Sequence, residues 1–115
     1  MILMIELFAG LVIGIVILRK IFRYYYWRQR QRKYLPTPAE KIYVDTNGYF
    51  RTKGTNRLIH RDVAYKYHYL PHKARYHKPF SMYVVHHRDE NKWHNDPTNL
   101  VILEPEQHTW LHDYH

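Results

Sequence analysis

An apolar segment at the N-terminus constrains this chain more than any other feature. Met1–Leu18 is almost wholly apolar, and Glu6 carries its only side-chain charge. Eighteen helical residues span about 27 Å, close to the roughly 30 Å hydrocarbon layer of a bilayer, and Ile21 and Phe22 lengthen the span if the helix tilts. A soluble chain of 115 residues has too small a core to bury such a run. The sequence therefore predicts a transmembrane helix over residues 1–22.

The charge around this segment predicts its orientation. A cleaved signal peptide carries positive charge before its apolar run and small residues after it, whereas here the positive side chains follow the run. The positive-inside rule then predicts a single-pass membrane protein with its N-terminus outside and the remainder in the cytoplasm. Gly10 and Gly14 form a G-x-x-x-G pattern, which is compatible with helix pairing in a homodimer but is also common in membrane helices generally. The basic residues that follow the run are Arg19, Lys20, Arg23, Arg28, Arg30, Arg32 and Lys33.

Residues 23–38 are interpreted as a basic, aromatic neck between the membrane and a folded domain. Tyr24–Trp27 suits the aromatic belt of a membrane surface, and the basic side chains would attract anionic lipid headgroups. The alternative is a helical neck that merely keeps its charges solvated. Leu35–Pro38, with two prolines in three residues, stops a helix and predicts a short linker. One domain, residues 39–115, follows.

The basic bias of the chain is concentrated outside that domain. The net charge is +8, but residues 39–115 contribute 11 basic and 9 acidic side chains. Phosphate contacts must then come from local clusters, although these could equally be a solvated face. The absence of cysteine excludes disulfides and cysteine-ligated zinc. The candidate nucleic-acid-binding residues are Arg51, Lys53, Arg57, Arg61, Lys73, Arg75, Lys78 and Arg88.

The domain is predicted to be of the α+β class. Asn47-Gly48 is a strong turn signal for a β-hairpin between two aromatic segments. Short apolar runs predict two further strands, joined by a loop rich in Asp, Asn and Pro. Pro105 and its flanking glutamates suit the start of a helix. The predicted elements after the hairpin are a helix over Leu58–Tyr69, a strand that starts at Met82 and ends at His86 and His87, a strand over Leu100–Leu103, and a helix from Pro105 to about Tyr114.

Four histidines in the last 30 residues form a candidate metal site. Side chains alternate along a strand, so His86 and His87 should point in different directions. His108 and His112 are four residues apart and share one helix face. One histidine of the pair can join them on a metal such as Zn, Ni, Mg or Mn, while the other serves as a base. Each motif alone is more often structural, and only their combination favours a hydrolytic site.

The same segment resembles the HNH endonuclease family, in its phage and homing-endonuclease branch. That branch has the pattern H-H-x-D-x-N-x-x-N-N followed by N-L. Glu90 stands where glycine is usual, and His94 replaces the first asparagine of the pair. The resemblance covers roughly Lys41–His115 and includes Asn47–Phe50 and Ile59–Ala64. The positions that keep the pattern are His86, His87, Asp89, Asn91, Asn95, Asn99 and Leu100, followed by His108.

The resemblance implies a ββα-metal domain in which the positions that keep the pattern have defined roles. His86 and His108 would bind one divalent metal ion, His112 would complete its ligand set, and His87 would be the general base. Asn99 would hold the loop and orient that base. The residues expected to shape the loop are Asp89, Asn91 and Asn95.

The function expected from these features together is that of a membrane-anchored endonuclease that hydrolyses DNA phosphodiester bonds. A phage or defence setting is the natural biological expectation. Two alternatives stay open at this point. The domain could be an inactive HNH-fold membrane adaptor or nucleic-acid-binding protein, or its substrate could be RNA.

Overall fold

A computed structural model describes residues 2–34 and 41–113 of this chain, with side chains through Trp110. The order of elements is mixed helix and sheet, which confirms the predicted α+β class. One long helix precedes two small antiparallel hairpins, each of which is followed by a helix. The elements are α1 (Ile2–Gln31), β1 (Ile42–Val44), β2 (Phe50–Thr52), α2 (Ile59–Ala64), β3 (Val84–His87), β4 (Leu100–Leu103) and α3 (Pro105–Asp113).

Helix α1 is long and apolar enough to cross a membrane. Its large apolar side chains between Ile2 and Phe22 are 43% to 76% exposed. An exposed apolar surface of this length is costly in water and is stable when covered by lipid. The helix continues without a break through the predicted neck and ends at Gln31.

The predicted hairpin at Asn47-Gly48 is confirmed. Strands β1 and β2 pair antiparallel, with Val44 opposite Phe50. Gly48 has a φ of +86°, a conformation that glycine adopts without steric cost. The Asp45 carboxylate accepts hydrogen bonds from the backbone N–H groups of Asn47 and Tyr49, each at 2.9 Å, and so closes the turn.

The helix predicted over Leu58–Tyr69 changes its winding part-way. Helix α2 ends at Ala64, and Tyr65–Tyr69 continues as a π-helical turn. The Leu70 N–H donates to the Tyr65 carbonyl at 2.9 Å, which is the five-residue spacing of that wider turn. The sequence pattern that predicts a helix does not distinguish an α-helical turn from a π-helical turn.

The second hairpin and the last helix form a strand–loop–strand–helix unit. His86 pairs with Val101 and His87 with Leu100, so the histidine pair lies at the loop end of β3. Strand β3 begins two residues later than predicted, because Phe80–Met82 forms a 3₁₀ turn. Helix α3 packs against both strands. Tyr114, the predicted last residue of that helix, lies outside the described residues.

The core of the domain joins both hairpins to α2. Its buried members include Ile42 and Phe50 from the first hairpin, and Val85 and Leu100 from the second. Tyr24 and Trp27 of α1, together with Tyr34, pack against this core. The predicted boundary between residues 38 and 39 stays a prediction, and the linker Leu35–Pro38 lies outside the described residues. What the structure adds is that the last two turns of α1 contribute to the domain core.

Candidate metal and nuclease site

His86 and His108 come together across the junction of β3 and α3. Their ring centroids are 5.5 Å apart, with the ring planes at 67°. Both line a cleft of about 290 Å³. Residues 22 positions apart in sequence meet because α3 folds back over the strand that carries His86. The other residues that line the cleft are Tyr49, Val85, His87, Glu90 and Lys92.

The two imidazoles that face each other in this cleft belong to a ligand type that divalent transition metals accept. His86 and His108 supply imidazole nitrogens, which zinc and nickel bind. Within residues 2–34 and 41–110, no group of three or more His, Cys, Asp or Glu side chains is arranged to hold an ion. His112, the predicted third imidazole, lies on α3, and its side chain falls outside the described residues.

His86 is half-buried and His87 is buried, which is the alternation expected along a strand, and His87 also lines the cleft. It is buried, and its Nε2 lies 2.6 Å from Oδ1 of Asn95. Burial lowers the pKa of His87, while the hydrogen bond to Asn95 acts in the opposite direction. The ring is therefore neutral at pH 7, which is the protonation state of a general base.

A second buried histidine packs against His87. The ring of His60 on α2 lies 4.9 Å from the ring of His87 and stacks on Tyr49 at 5.0 Å. Burial, reinforced by the charge of a protonated His87, lowers the pKa of His60 to about 3. His60 is thus a neutral ring that packs against His87. Sequence analysis did not single it out, because a lone histidine on a short helix carries no signal of its depth.

Asn99 makes hydrogen bonds within the loop between β3 and β4. Its Nδ2 donates to Oδ1 of Asp89 at 2.9 Å and to the carbonyl of His94 at 2.8 Å. Its backbone carbonyl accepts from the N–H of Arg88 at 2.8 Å. The side-chain hydrogen bond to the ring of His87 comes from Asn95 instead. The two asparagines therefore have different contacts: Asn99 bonds within the loop, and Asn95 bonds to His87.

The two departures from the HNH pattern have visible consequences in this loop. Glu90 adopts a φ of +61°, the left-handed conformation in which glycine is favoured. His94 places Nδ1 2.6 Å from Oδ2 of Asp89 and Nε2 3.0 Å from Oδ2 of Asp96. His94 therefore connects the carboxylates of Asp89 and Asp96 within the loop.

The end of α1 reaches this loop, which sequence analysis missed. Arg30 forms an ion pair with Asp96. Gln31, only 1% exposed, accepts a hydrogen bond at Oε1 from Nδ2 of Asn95 at 3.1 Å. One signal was present in the sequence: Tyr24, Trp27 and Gln31 have the i, i+3, i+7 spacing of a single helix face. That face packs on the domain, while Tyr25 and Tyr26 are 56% and 46% exposed.

The eight basic residues predicted to contact nucleic acid fall into two groups. Four of them make internal contacts: Arg51 pairs with Asp45, Arg57 with Asp62, and Lys78 with Glu104, while Arg61 donates to the carbonyls of Phe80 and Tyr83. Burial also lowers the pKa of Arg61. The other four, Lys53, Lys73, Arg75 and Arg88, are exposed at the surface, and Arg57 of the first group is exposed as well.

Comparison with known proteins assigns no family to this arrangement. No protein-family model matches the chain, and no curated protein or solved structure matches it. Evidence for a function of this protein therefore comes from the residues of the site itself.

Proposed function

We propose that this protein is a membrane-anchored, metal-dependent endonuclease of the HNH type that hydrolyses DNA phosphodiester bonds. The observation that carries the proposal is the meeting of His86 and His108 in one cleft, 5.5 Å apart, with His87 on the wall of the same cleft. Two histidines that can share an ion, beside a third that is neutral and held by an amide, match the needs of hydrolysis at a phosphate. The strand–loop–strand–helix order around them supports the resemblance to the ββα-metal unit.

The residues of this chain have distinct tasks in the proposed reaction. His86 and His108 would hold the divalent ion, with His112 as a further candidate ligand. When bound, that ion would stabilise the negative charge that develops on the scissile phosphate. His87 accepts a proton from the attacking water, and Asn95 fixes its ring. Asn99 holds the loop that carries these groups.

The proposed substrate and location follow from the surface of the molecule. Lys53, Lys73, Arg75 and Arg88 are exposed and suit a phosphodiester backbone. The apolar part of α1 would span the bilayer, with the domain on the cytoplasmic side. Arg19, Lys20 and Arg23 are exposed directly after the apolar segment, which supports contact with anionic lipid headgroups. The nuclease would then act on DNA that passes or lies near the inner membrane surface.

Plasmid cleavage by the full chain in lipid nanodiscs tests this proposal. The protein is incubated with supercoiled DNA and, separately, with Mg²⁺, Mn²⁺, Zn²⁺ or Ni²⁺, and matched DNA and RNA duplexes are compared. We expect nicking of DNA with at least one ion. His87→Ala should reduce the rate by about 100-fold or more, because general base catalysis contributes roughly 10²–10⁴-fold.

His77→Ala is the matched control, because His77 is exposed on a loop outside the cleft. It should cleave at the wild-type rate. A folded wild-type protein that binds metal yet nicks DNA with none of the four ions would contradict the nuclease proposal and favour the membrane adaptor. Cleavage of RNA alone would replace DNA as the substrate.

A further inference from the structure

The last residue of the apolar helix connects to the proposed base through a chain of amide hydrogen bonds. Gln31 contacts Asn95, and Asn95 contacts His87. All three side chains are buried, with exposures of 1%, 2% and 6%. Gln31 ends α1 and His87 ends β3, so these two hydrogen bonds connect the membrane anchor to the site through Asn95.

Two backbone carbonyls fix the direction of the hydrogen bonds that connect Gln31, Asn95 and His87. Nε2 of Gln31 lies 2.7 Å from the carbonyl oxygen of Trp27 and 3.1 Å from that of Trp93. A carbonyl oxygen only accepts, so the NH₂ group of Gln31 must face both. Its Oε1 is therefore the atom that faces Asn95.

The orientation of Gln31 also determines which ring nitrogen of His87 carries the hydrogen. Oε1 of Gln31 only accepts, so the atom of Asn95 that faces it must be the NH₂ group. Oδ1 of Asn95 then faces Nε2 of His87, 2.6 Å away. A nitrogen that faces this acceptor must carry a hydrogen, so the neutral ring keeps its lone pair on Nδ1.

We propose that Gln31 is a positioning residue that sets the tautomer of His87, so that the end of the membrane helix is part of the nuclease site. This inference rests on the proposed function in one respect only, since it takes His87 as the base. The wrong tautomer would place the hydrogen on the atom that must accept a proton from water. The anchor would then do more than locate the enzyme.

Nitrogen NMR of the full chain in nanodiscs tests the proposal without reference to cleavage. The protein is labelled with ¹⁵N-histidine, and long-range proton–nitrogen spectra at neutral pH show which ring nitrogen carries the hydrogen. The signal of His87 is assigned by its absence in His87→Asn. We expect His87 of the wild-type protein to be protonated on Nε2. Protonation on Nδ1 in the wild-type protein would overturn the proposal, whatever any variant does.

Gln31→Met and Gln29→Met form a matched pair of variants. Both replace a glutamine of the same helix by an apolar side chain of similar length, but Gln29 is exposed. Gln31→Met should raise the population of the Nδ1–H tautomer and lower kcat for DNA by about 10- to 100-fold, as for groups that orient a reactive ligand, with KM unchanged. Gln29→Met should change neither quantity.

Asn95→Asp keeps the test decisive if Gln31→Met does not fold. An aspartate still accepts from Nε2 of His87 but cannot donate to Gln31, so the Nε2–H tautomer should persist. Loss of that tautomer in Asn95→Asp would contradict the proposed hydrogen-bond directions. If the tautomer behaves as expected but the wild-type protein does not cleave DNA, the nuclease proposal fails while the positioning of His87 stands. If DNA is cleaved but Gln31→Met leaves both tautomer and kcat unchanged, only the positioning proposal fails.

Discussion

Arg30 forms an ion pair with Asp96, 66 residues later in the sequence. This ion pair connects the end of α1 to the loop before β4. Nε of Arg30 lies 3.3 Å from Oδ1 of Asp96, and Nη2 contacts Oδ2. The side chain of Asp96 is 8% exposed. The next residue of the helix, Gln31, contacts the preceding residue of the loop, Asn95. Two adjacent helix residues thus hold two adjacent loop residues beside the proposed base.

Asp96→Asn should destabilise the domain. The substitution keeps the shape of the side chain but removes the charge that Arg30 and His94 both face. Hydrogen bonds to charged groups are worth about 1.5–3 kcal/mol, so the free energy of unfolding should fall by about 2 kcal/mol. Guanidinium unfolding in mild detergent, followed by tryptophan fluorescence, measures it. Glu106→Gln, the same chemical change at an exposed position, should alter stability little; equal effects of the two would refute this role of the ion pair.

The stability that Asp96 provides should depend on pH. Burial alone would raise the pKa of Asp96, but hydrogen bonds from Arg30, Tyr34 and His94 outweigh it and lower the pKa from 3.8 to about 2. A carboxylate with a lowered pKa stabilises the folded state fully above its unfolded pKa, and this contribution disappears as pH falls through the folded value. The stability difference between wild type and Asp96→Asn should therefore be constant above about pH 5 and shrink between pH 3.8 and about 2. Unfolding curves at stepped pH test it, and a difference that grows on acidification would contradict the assignment.

Glu90→Gly should stabilise the loop relative to Glu90→Ala. At a φ of +61° an alanine retains the steric strain of a Cβ atom, whereas glycine has none. The two variants remove the same carboxylate, so their comparison isolates the backbone effect. We expect glycine to be more stable than alanine by about 1 kcal/mol. Thermal unfolding of the two variants measures this difference, and a more stable alanine variant would show that the loop has another conformation.

A chain that starts at residue 23 should fold, and one that starts at residue 39 should be much less stable. The shorter chain lacks Tyr24, Trp27 and Tyr34, which pack against the core, and Gln31, which is buried within it. Removing one buried large aromatic side chain costs about 3–5 kcal/mol, a large part of the stability of a small domain. Near-ultraviolet circular dichroism and guanidinium unfolding compare the two. Equal stabilities would show that the packing of α1 on the domain is not needed for folding.

Local sequence signals predicted much of the fold. Asn47-Gly48 located the first hairpin, and the apolar runs around His86 and Leu100 located the second. Each of these features depends on neighbours a few residues away, which are visible in sequence. The meeting of His86 with His108 followed from the same local elements, because a strand, a short loop and a helix leave few ways to pack.

The contacts of α1 with the loop could not be predicted in the same way. The basic residues of Arg23–Lys33 have the composition of a membrane neck, and that composition does not reveal that Gln31 is buried against Asn95. Long-range contacts of this kind depend on how the helix docks on the domain. The division of roles between Asn95 and Asn99 was missed for the same reason, since both are asparagines in one loop.

X-ray absorption at the metal edge of the nickel- or zinc-loaded full chain in nanodiscs tests whether His86 and His108 share an ion. We expect imidazole nitrogens in the coordination shell, with one fewer nitrogen or loss of the ion in both His86→Ala and His108→Ala. His77→Ala, at an exposed loop position, should leave the spectrum unchanged. A coordination shell that is identical in wild type, His86→Ala and His108→Ala would show that these two histidines do not share an ion, and would contradict the account.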